Sequence, residues 1–238
     1  MKTIQPKNLQ VQIKDLGLIQ YKQAWDEQEM LFDRVVAVKE ANRANPVPEL
    51  TPNFLLFCSH PHVYTLGKSG DESNLLINPD FLASKGAELY RINRGGDITY
   101  HGPGQLVGYP ILDLVNFGVS IKSYINLLEE VIIRSLRYYG ITGTRADGAT
   151  GVWLDTNKPA RARKICAIGV RTSHWVSMHG FAFNVNTNLD YFNYIIPCGI
   201  QGKGVTSLQK ELGREVDMTE VQALLKREFQ QVFGMELI

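Results

Sequence analysis

Apolar residues return every three or four positions along residues 21–42, where Trp25, Leu31, Phe32, Val35 and Val38 share one face. That period is helical, and the stripe predicts a helix buried along one side. Ile121, Tyr124, Ile125, Leu128, Ile132 and Leu136 predict a second helix over residues 120–139. Ser120 can cap its start and Gly140 fits its end. A third is expected over residues 219–233, with Thr219 and Gln222 at capping-box spacing and Gly234 past the last turn. Short runs rich in branched and aromatic residues predict strands over 54–58, 88–93, 106–114, 151–155, 164–171 and 175–185. Residues 45–52 hold Pro46, Pro48 and Pro52 and read as a loop. Helices and strands mix without a regular βαβ rhythm. The expected fold is therefore α+β, a mixed or antiparallel sheet flanked by helices. A single domain over residues 1–238 is expected, with a small carboxy-terminal lobe after about residue 201 as a further option.

The chain has 238 residues, of which 44% are hydrophobic, enough for a sizeable core. Its formal charge of +1 supplies no overall field toward nucleic acid or an anionic membrane. Residues 1–7 are polar with no apolar run behind them, unlike a signal peptide, and no stretch has the length of a membrane span. A soluble cytoplasmic protein is the expectation. Three cysteines, Cys58, Cys166 and Cys198, cannot all pair with one another, so a reducing compartment is the simplest reading. Each cysteine is then a small core residue or a nucleophile.

The densest chemistry lies in Arg94-Gly95-Gly96-Asp97-Ile98-Thr99-Tyr100-His101-Gly102-Pro103-Gly104-Gln105. Four glycines let the backbone approach a ligand closely, although a tight surface turn needs them equally. Polar side chains seated among them shift the reading toward a binding loop. It is not a nucleotide cradle, because Gly67-Lys68-Ser69 has His62 where the phosphate-binding motif needs its first glycine. Cys58, His60 and His62 alternate, yet no zinc-like spacing follows them, and no metal or cofactor is expected.

Residues 94–109, RGGDITYHGPGQLVGY, resemble the signature of the lipoyl(octanoyl) transferase family. Three further blocks are similar to that family and stand in its order: HPHVYTLG at residues 60–67, KICAIGVR at 164–171, and IPCGI at 196–200. Cys166 departs from the pattern, where a small apolar residue is usual, and so does His62, where proline is more common. Neither touches a residue the reaction needs.

The resemblance implies a fold related to the catalytic domains of biotin and lipoate protein ligases. It implies transfer of an octanoyl group from octanoyl-acyl carrier protein to a lysine of lipoyl domains. The acceptors would be 2-oxoacid dehydrogenase complexes and the glycine cleavage H protein. Cys198 would carry the acyl group as a thioester, dividing one hard transfer into two easier ones. Lys164 would favour its thiolate and later act as base. Substrate contacts would come from Arg94, Gly95, Gly96, Asp97, Ile98, Thr99, Tyr100 and His101. The remainder are Ala167, Ile168, Gly169, Gly180, Phe181 and Ala182, forming a slot with apolar walls. His101 would either help stabilise the oxyanion or only fasten the glycine loop. The basic run of Lys158, Arg161, Arg163 and Lys164 suits docking of an acidic carrier. The main rival is an ATP-dependent lipoate–protein ligase, which needs no cysteine. A non-catalytic binder of lipoyl domains is a third class, disfavoured by the presence of both catalytic residues. ATP dependence separates the first two, and an acyl-enzyme separates the first from the third.

Overall fold

In the computed structural model, strand β2 (Phe54–Ser59) shows why the chain layers as it does. Its residues alternate between two cores: Leu55 and Phe57 enter one, while Phe54, Leu56 and Cys58 enter the other. A strand apolar at every position belongs to a sheet covered on both faces. The structure describes residues 7–196 and 204–238. Cys198 and the rest of the IPCGI block after Ile196 lie outside them.

The large sheet is mixed. It draws on β1 (Gln10–Leu18), β2, β6 (Gln105–Ile111), β7 (Thr144–Ala146), β8 (Ala149–Leu154), β9 (Arg163–Ser173), β10 (Val176–Asn184), β11 (Gly204–Val205) and β12 (Glu236–Leu237). The order is β12-β1-β2-β6-β10-β9-β8-β7, with β11 added beside β9. Strands β2 through β7 along that order pair antiparallel, while β1 runs parallel to both its neighbours. A small sheet, β4-β3-β5, comprises β3 (Val63–Leu66), β4 (Glu88–Arg91) and β5 (Ile98–His101).

Helix α1 (Tyr21–Ala41) covers one face of the large sheet through Ala24, Leu31, Phe32 and Val35. Helices α3 (Ile121–Tyr138) and α5 (Met218–Phe233) cover the other through Leu128, Ile132, Leu225 and Phe229. The short helices α2 (Pro79–Ser84) and α4 (Leu208–Leu212) complete the set. Ser120 caps α3 as expected by accepting from the Ser123 amide, and Gly140 follows with φ +71°. Helix α5 starts one residue before Thr219. Its cap is Asp217, which accepts from the Thr219 amide at 2.8 Å, so Thr219 is not the capping residue expected. Gly234 ends that helix in the left-handed conformation. The α+β expectation of a mixed sheet flanked by helices is met. The periodicity did not reveal β1, where only Val11 is fully buried, or β5, hidden inside the glycine-rich segment. Among the described residues no helix is long and apolar enough to cross a membrane.

Candidate active site

Strands β9 and β10 pair Ala167 with Ala182 and Gly169 with Gly180. Side chains alternate across a strand, so these four small residues form one patch on the sheet face that meets α1 and the glycine-rich segment. Larger groups do not fit there. A β-carbon at Gly180 would lie 2.1 Å from the Gly108 carbonyl oxygen, and one at Gly169 would lie 3.0 Å from Arg94 Cδ and from Gly95 O. The patch opens onto a cavity of about 580 Å³. Ile168 and Phe181 pair with each other between these small residues and border the same cavity. Their side chains, however, belong to the opposite face: the Phe181 ring packs against Phe57 and Phe229, and Ile168 packs on that core. All six residues expected at the slot, 167–169 and 180–182, thus border the cavity, with the side chains of the alternate ones turned away from it.

A β-bulge delivers Lys164 to this slot. Val152 pairs with Cys166 and Trp153 with Lys164, leaving Ile165 as an extra residue on β9. An extra residue inverts the alternation. Ile165 and Cys166 therefore both enter the core beneath α3, while Lys164 emerges with Trp153 on the slot side. Its Nζ lies 4.7 Å from the centre of the Trp153 ring.

At the other end of the slot a second irregularity turns His179. Its neighbours Ser177, Phe181 and Phe183 face the α3 side, and alternation would send His179 there too. Its φ of +59° reverses that direction. The backbone N–H is taken by Gln28 of α1 at 3.2 Å, and the ring lines the cavity with Nε2 2.8 Å from Asn93 Oδ1. Burial lowers the His179 pKa to about 3, so the ring is neutral.

The glycine-rich segment roofs the slot. Arg94 Nη2 donates to both the carbonyl and the hydroxyl of Thr65, and the Gly95 amide donates to Val170 O at 3.0 Å. Asp97 accepts from the Asp71 amide and from Asn74 Nδ2. Arg94, Gly95, Gly96, Asp97, Ile98, Thr99 and His101 all line the cavity. Tyr100 does not. Its ring turns into a separate cluster with Tyr64, Tyr191 and Phe192, and its hydroxyl meets His62 Nδ1 at 2.7 Å.

His101 is buried, with Nδ1 2.8 Å from Gln105 Oε1 and Nε2 3.4 Å from the Thr65 hydroxyl. Burial lowers its pKa to about 3. Both ring nitrogens are engaged by the scaffold, which favours the fastening role over oxyanion stabilisation. Sequence reasoning did not select Tyr21, Val107, Tyr109, His179 and Asn184, which also line the cavity. Polar residues at buried strand positions, such as Gln105, His179 and Asn184, were the available signal.

The described residues that flank positions 197–203 are tied to this site. The Ile196 amide donates to Asn74 O, and Gly204 and Val205 pair with Arg163 and Lys164. The other two cysteines are poor nucleophiles: both are buried, and burial pushes their thiols well up. Arg163 is held between Asp155 and Glu211, leaving Lys158 and Arg161 as the exposed part of the basic run.

A profile of the lipoyl protein ligase A/B catalytic domain matches residues 20–230. The chain belongs to that family. An octanoyltransferase of Flavobacterium psychrophilum is 58% identical over 232 residues, covering 97% of this chain and 100% of that protein. One from Bacteroides fragilis is 56% identical over 214 residues, 90% of this chain and 94% of the relative. With relatives of this identity along its length, the chain is an acyltransferase of the lipoyl protein ligase A/B family. Among solved structures, a bi-partite lipoate protein ligase from Thermoplasma acidophilum superposes with a TM-score of 0.67 at 16% identity, covering 98% of this chain and 86% of that one. A lipoate-protein ligase A bound with ATP gives 0.65 at 17% identity, with 97% and 89% covered. At such identities the likeness is one of fold.

Proposed function

We propose that this acyltransferase moves an octanoyl group from octanoyl-acyl carrier protein to a lysine of lipoyl domains, through a thioester on Cys198. The acceptors would be the lipoyl domains of 2-oxoacid dehydrogenase complexes and the glycine cleavage H protein, in the cytoplasm. The observation that carries this reading is Lys164, turned by a bulge into an apolar slot beside the strand that follows the cysteine block. In the first step the Cys198 thiolate attacks the donor thioester. The new S–C bond forms, the donor C–S bond breaks, and the departing thiolate takes a proton from the Lys164 ammonium. In the second, the acceptor amine attacks the Cys198 thioester. Its N–C bond forms, the cysteine leaves as thiolate, and neutral Lys164 takes the amine proton, restoring the starting pair.

The slot suits the cargo. An eight-carbon chain needs no charged partner, and each buried methylene contributes about 0.8 kcal/mol. Arg94 through Asp97, Thr99 and His101 would border the bound chain, with Ala167, Gly169, Gly180 and Ala182 beneath it. Lys158 and Arg161 would meet an acidic carrier at the rim. The test is transfer to a purified lipoyl domain with ATP omitted. Octanoylation of the acceptor is expected, and Cys198→Ala should abolish it while Cys58→Ala and Cys166→Ala keep it. Transfer that requires ATP would favour a ligase mechanism, and ATP-free transfer that survives in Cys198→Ala would exclude the Cys198 thioester.

A further inference from the structure

A line of buried polar side chains runs beneath the slot from the glycine-rich roof to the catalytic-lysine strand. Arg94 donates to the Thr65 hydroxyl, which meets His101 Nε2. His101 Nδ1 meets Gln105 Oε1, and Gln105 Nε2 donates to Asn184 Oδ1 at 2.9 Å. Asn184 Nδ2 then donates to the Thr206 carbonyl at 3.0 Å, and the Thr206 amide donates to Lys164 O at 2.9 Å. Asn184 is 4% exposed, and Gln105 and Thr206 are buried more deeply still. Buried polar groups are costly unless they are paired, and a fully paired chain of them fixes one geometry.

Asn184 occupies the pivotal place. Its two amide atoms bridge Gln105 at the start of β6 on one side and Thr206, the residue directly after the short β11 strand, on the other. Strand β11 has only two residues and pairs with β9 at Arg163 and Lys164. Backbone bonds from Gly204 to Ala162 and from Thr206 to Lys164 extend that pairing, and the side-chain tie at Thr206 anchors it from β10.

We propose that Asn184 is a positioning residue for the acyl transfer, holding β11 in register against Lys164 so that the lysine and the chain after the cysteine block share one geometry. This rests on the reading of Lys164 and Cys198 given above. Asn184 touches no reacting atom; it acts through Thr206.

The test is Asn184→Asp, which keeps the shape and can still accept from Gln105. A carboxylate cannot donate to the Thr206 carbonyl, whereas a protonated carboxyl can. Burial raises a carboxyl pKa, so protonation occurs within the assay range. The charged and titratable groups nearby are His101 through Gln105, Lys164 and Glu211 flanking Thr206, and Arg163 on Glu211. Burial keeps His101 neutral, and its Arg163 partner holds the Glu211 carboxyl low.

At pH 8 the variant is expected to lose ten- to a hundredfold in kcat with KM for the acyl donor within threefold. Its activity relative to wild type should then rise at least tenfold by pH 6. A ratio independent of pH would overturn the proposal, because a general loss of packing has no such rescue. If Asn184→Asp does not fold, Asn184→Ser, too short to reach Thr206, is read instead. A tenfold loss of kcat at unchanged KM supports the proposal, and kcat within twofold of wild type overturns it. Turnover ratios do not depend on seeing a thioester. Absence of an acyl-enzyme in the wild type would therefore count against Cys198 and leave the result for Asn184 unaffected.

Discussion

The two faces of the β9–β10 ladder are made from interleaved residues and are built for opposite purposes. One presents Cys166, Ile168, Phe181 and Phe183 to the core beneath α3 and α5. The other presents Ala167, Gly169, Gly180 and Ala182 to the cavity. Bulk and close packing on the first face stabilise the sheet, whereas smallness on the second leaves room for a substrate. Lys164 and His179 join the second face only because a bulge and a left-handed residue turn them there. The lesson is that the site is made where the ladder departs from regularity, and stability is kept where it does not.

If that division is right, Lys164 can be changed with little effect on folding and a large effect on rate. Lys164→Met should lose 10²–10⁴ in kcat, the range for a missing general acid–base, with a melting temperature close to wild type. Lys164→Arg should not rescue, since arginine keeps the charge but cannot act as a base near neutral pH. Full activity in Lys164→Arg would reduce the role to charge alone.

The sharpest comparison sets neighbours on β10 against each other. Ala182→Leu adds three carbons in the slot, displacing about 2.4 kcal/mol of methylene burial and lowering octanoyl transfer about fiftyfold. Ala182 is itself buried beneath α1, so overpacking should cost about 1–3 kcal/mol of stability, less than the loss expected at Phe181. Phe181→Ala should do the reverse, costing about 3–5 kcal/mol of stability while the folded fraction stays active. A thermal melt and a turnover assay on both variants decide the matter. Equal losses of stability would erase the distinction between the faces.

How much of this could be read from the chain follows the same division. Helical stripes exposed α1, α3 and α5 because a single apolar face repeats over many turns. The family-like blocks pointed to Lys164 and to the roof from Arg94 to His101. What stayed hidden depends on register. Nothing in the run of residues 164–171 shows that Ile165 is a bulge, and so nothing shows which of Ala167 and Ile168 faces the slot. Tyr100 sits inside the roof segment yet turns away, because strand alternation sends its ring toward Tyr64. Asp217 outcompeted Thr219 as a cap through one more residue of context. The Asn184 tie joins residues far apart in sequence, which no local pattern reveals.

A smaller effect separates the faces by pH. The slot side holds three buried histidines whose pKa values burial lowers: His60 to about 4, His101 to about 3 and His179 to about 3. A depressed histidine favours the neutral form in the fold. Its stabilisation is complete above the unfolded value near 6.5 and is lost as pH falls from there toward the folded value. Each histidine contributes at most about 1.4 kcal/mol of loss per pH unit in that window. Urea unfolding at pH 7.5, 6 and 5 should show stability falling steeply below 6.5. Constant stability from 7.5 to 5 would mean that these rings are not held neutral.

The central claim is that one cysteine carries the acyl group between donor and acceptor. The direct measurement is the intact mass of the pure protein after mixing with octanoyl-acyl carrier protein, without ATP and without a lipoyl domain. The account predicts one octanoyl adduct, labile to hydroxylamine, mapped to Cys198 and discharged when a lipoyl domain is added. An unmodified protein that nonetheless transfers octanoyl to the acceptor, or an adduct mapped to Cys58 or Cys166, would contradict it.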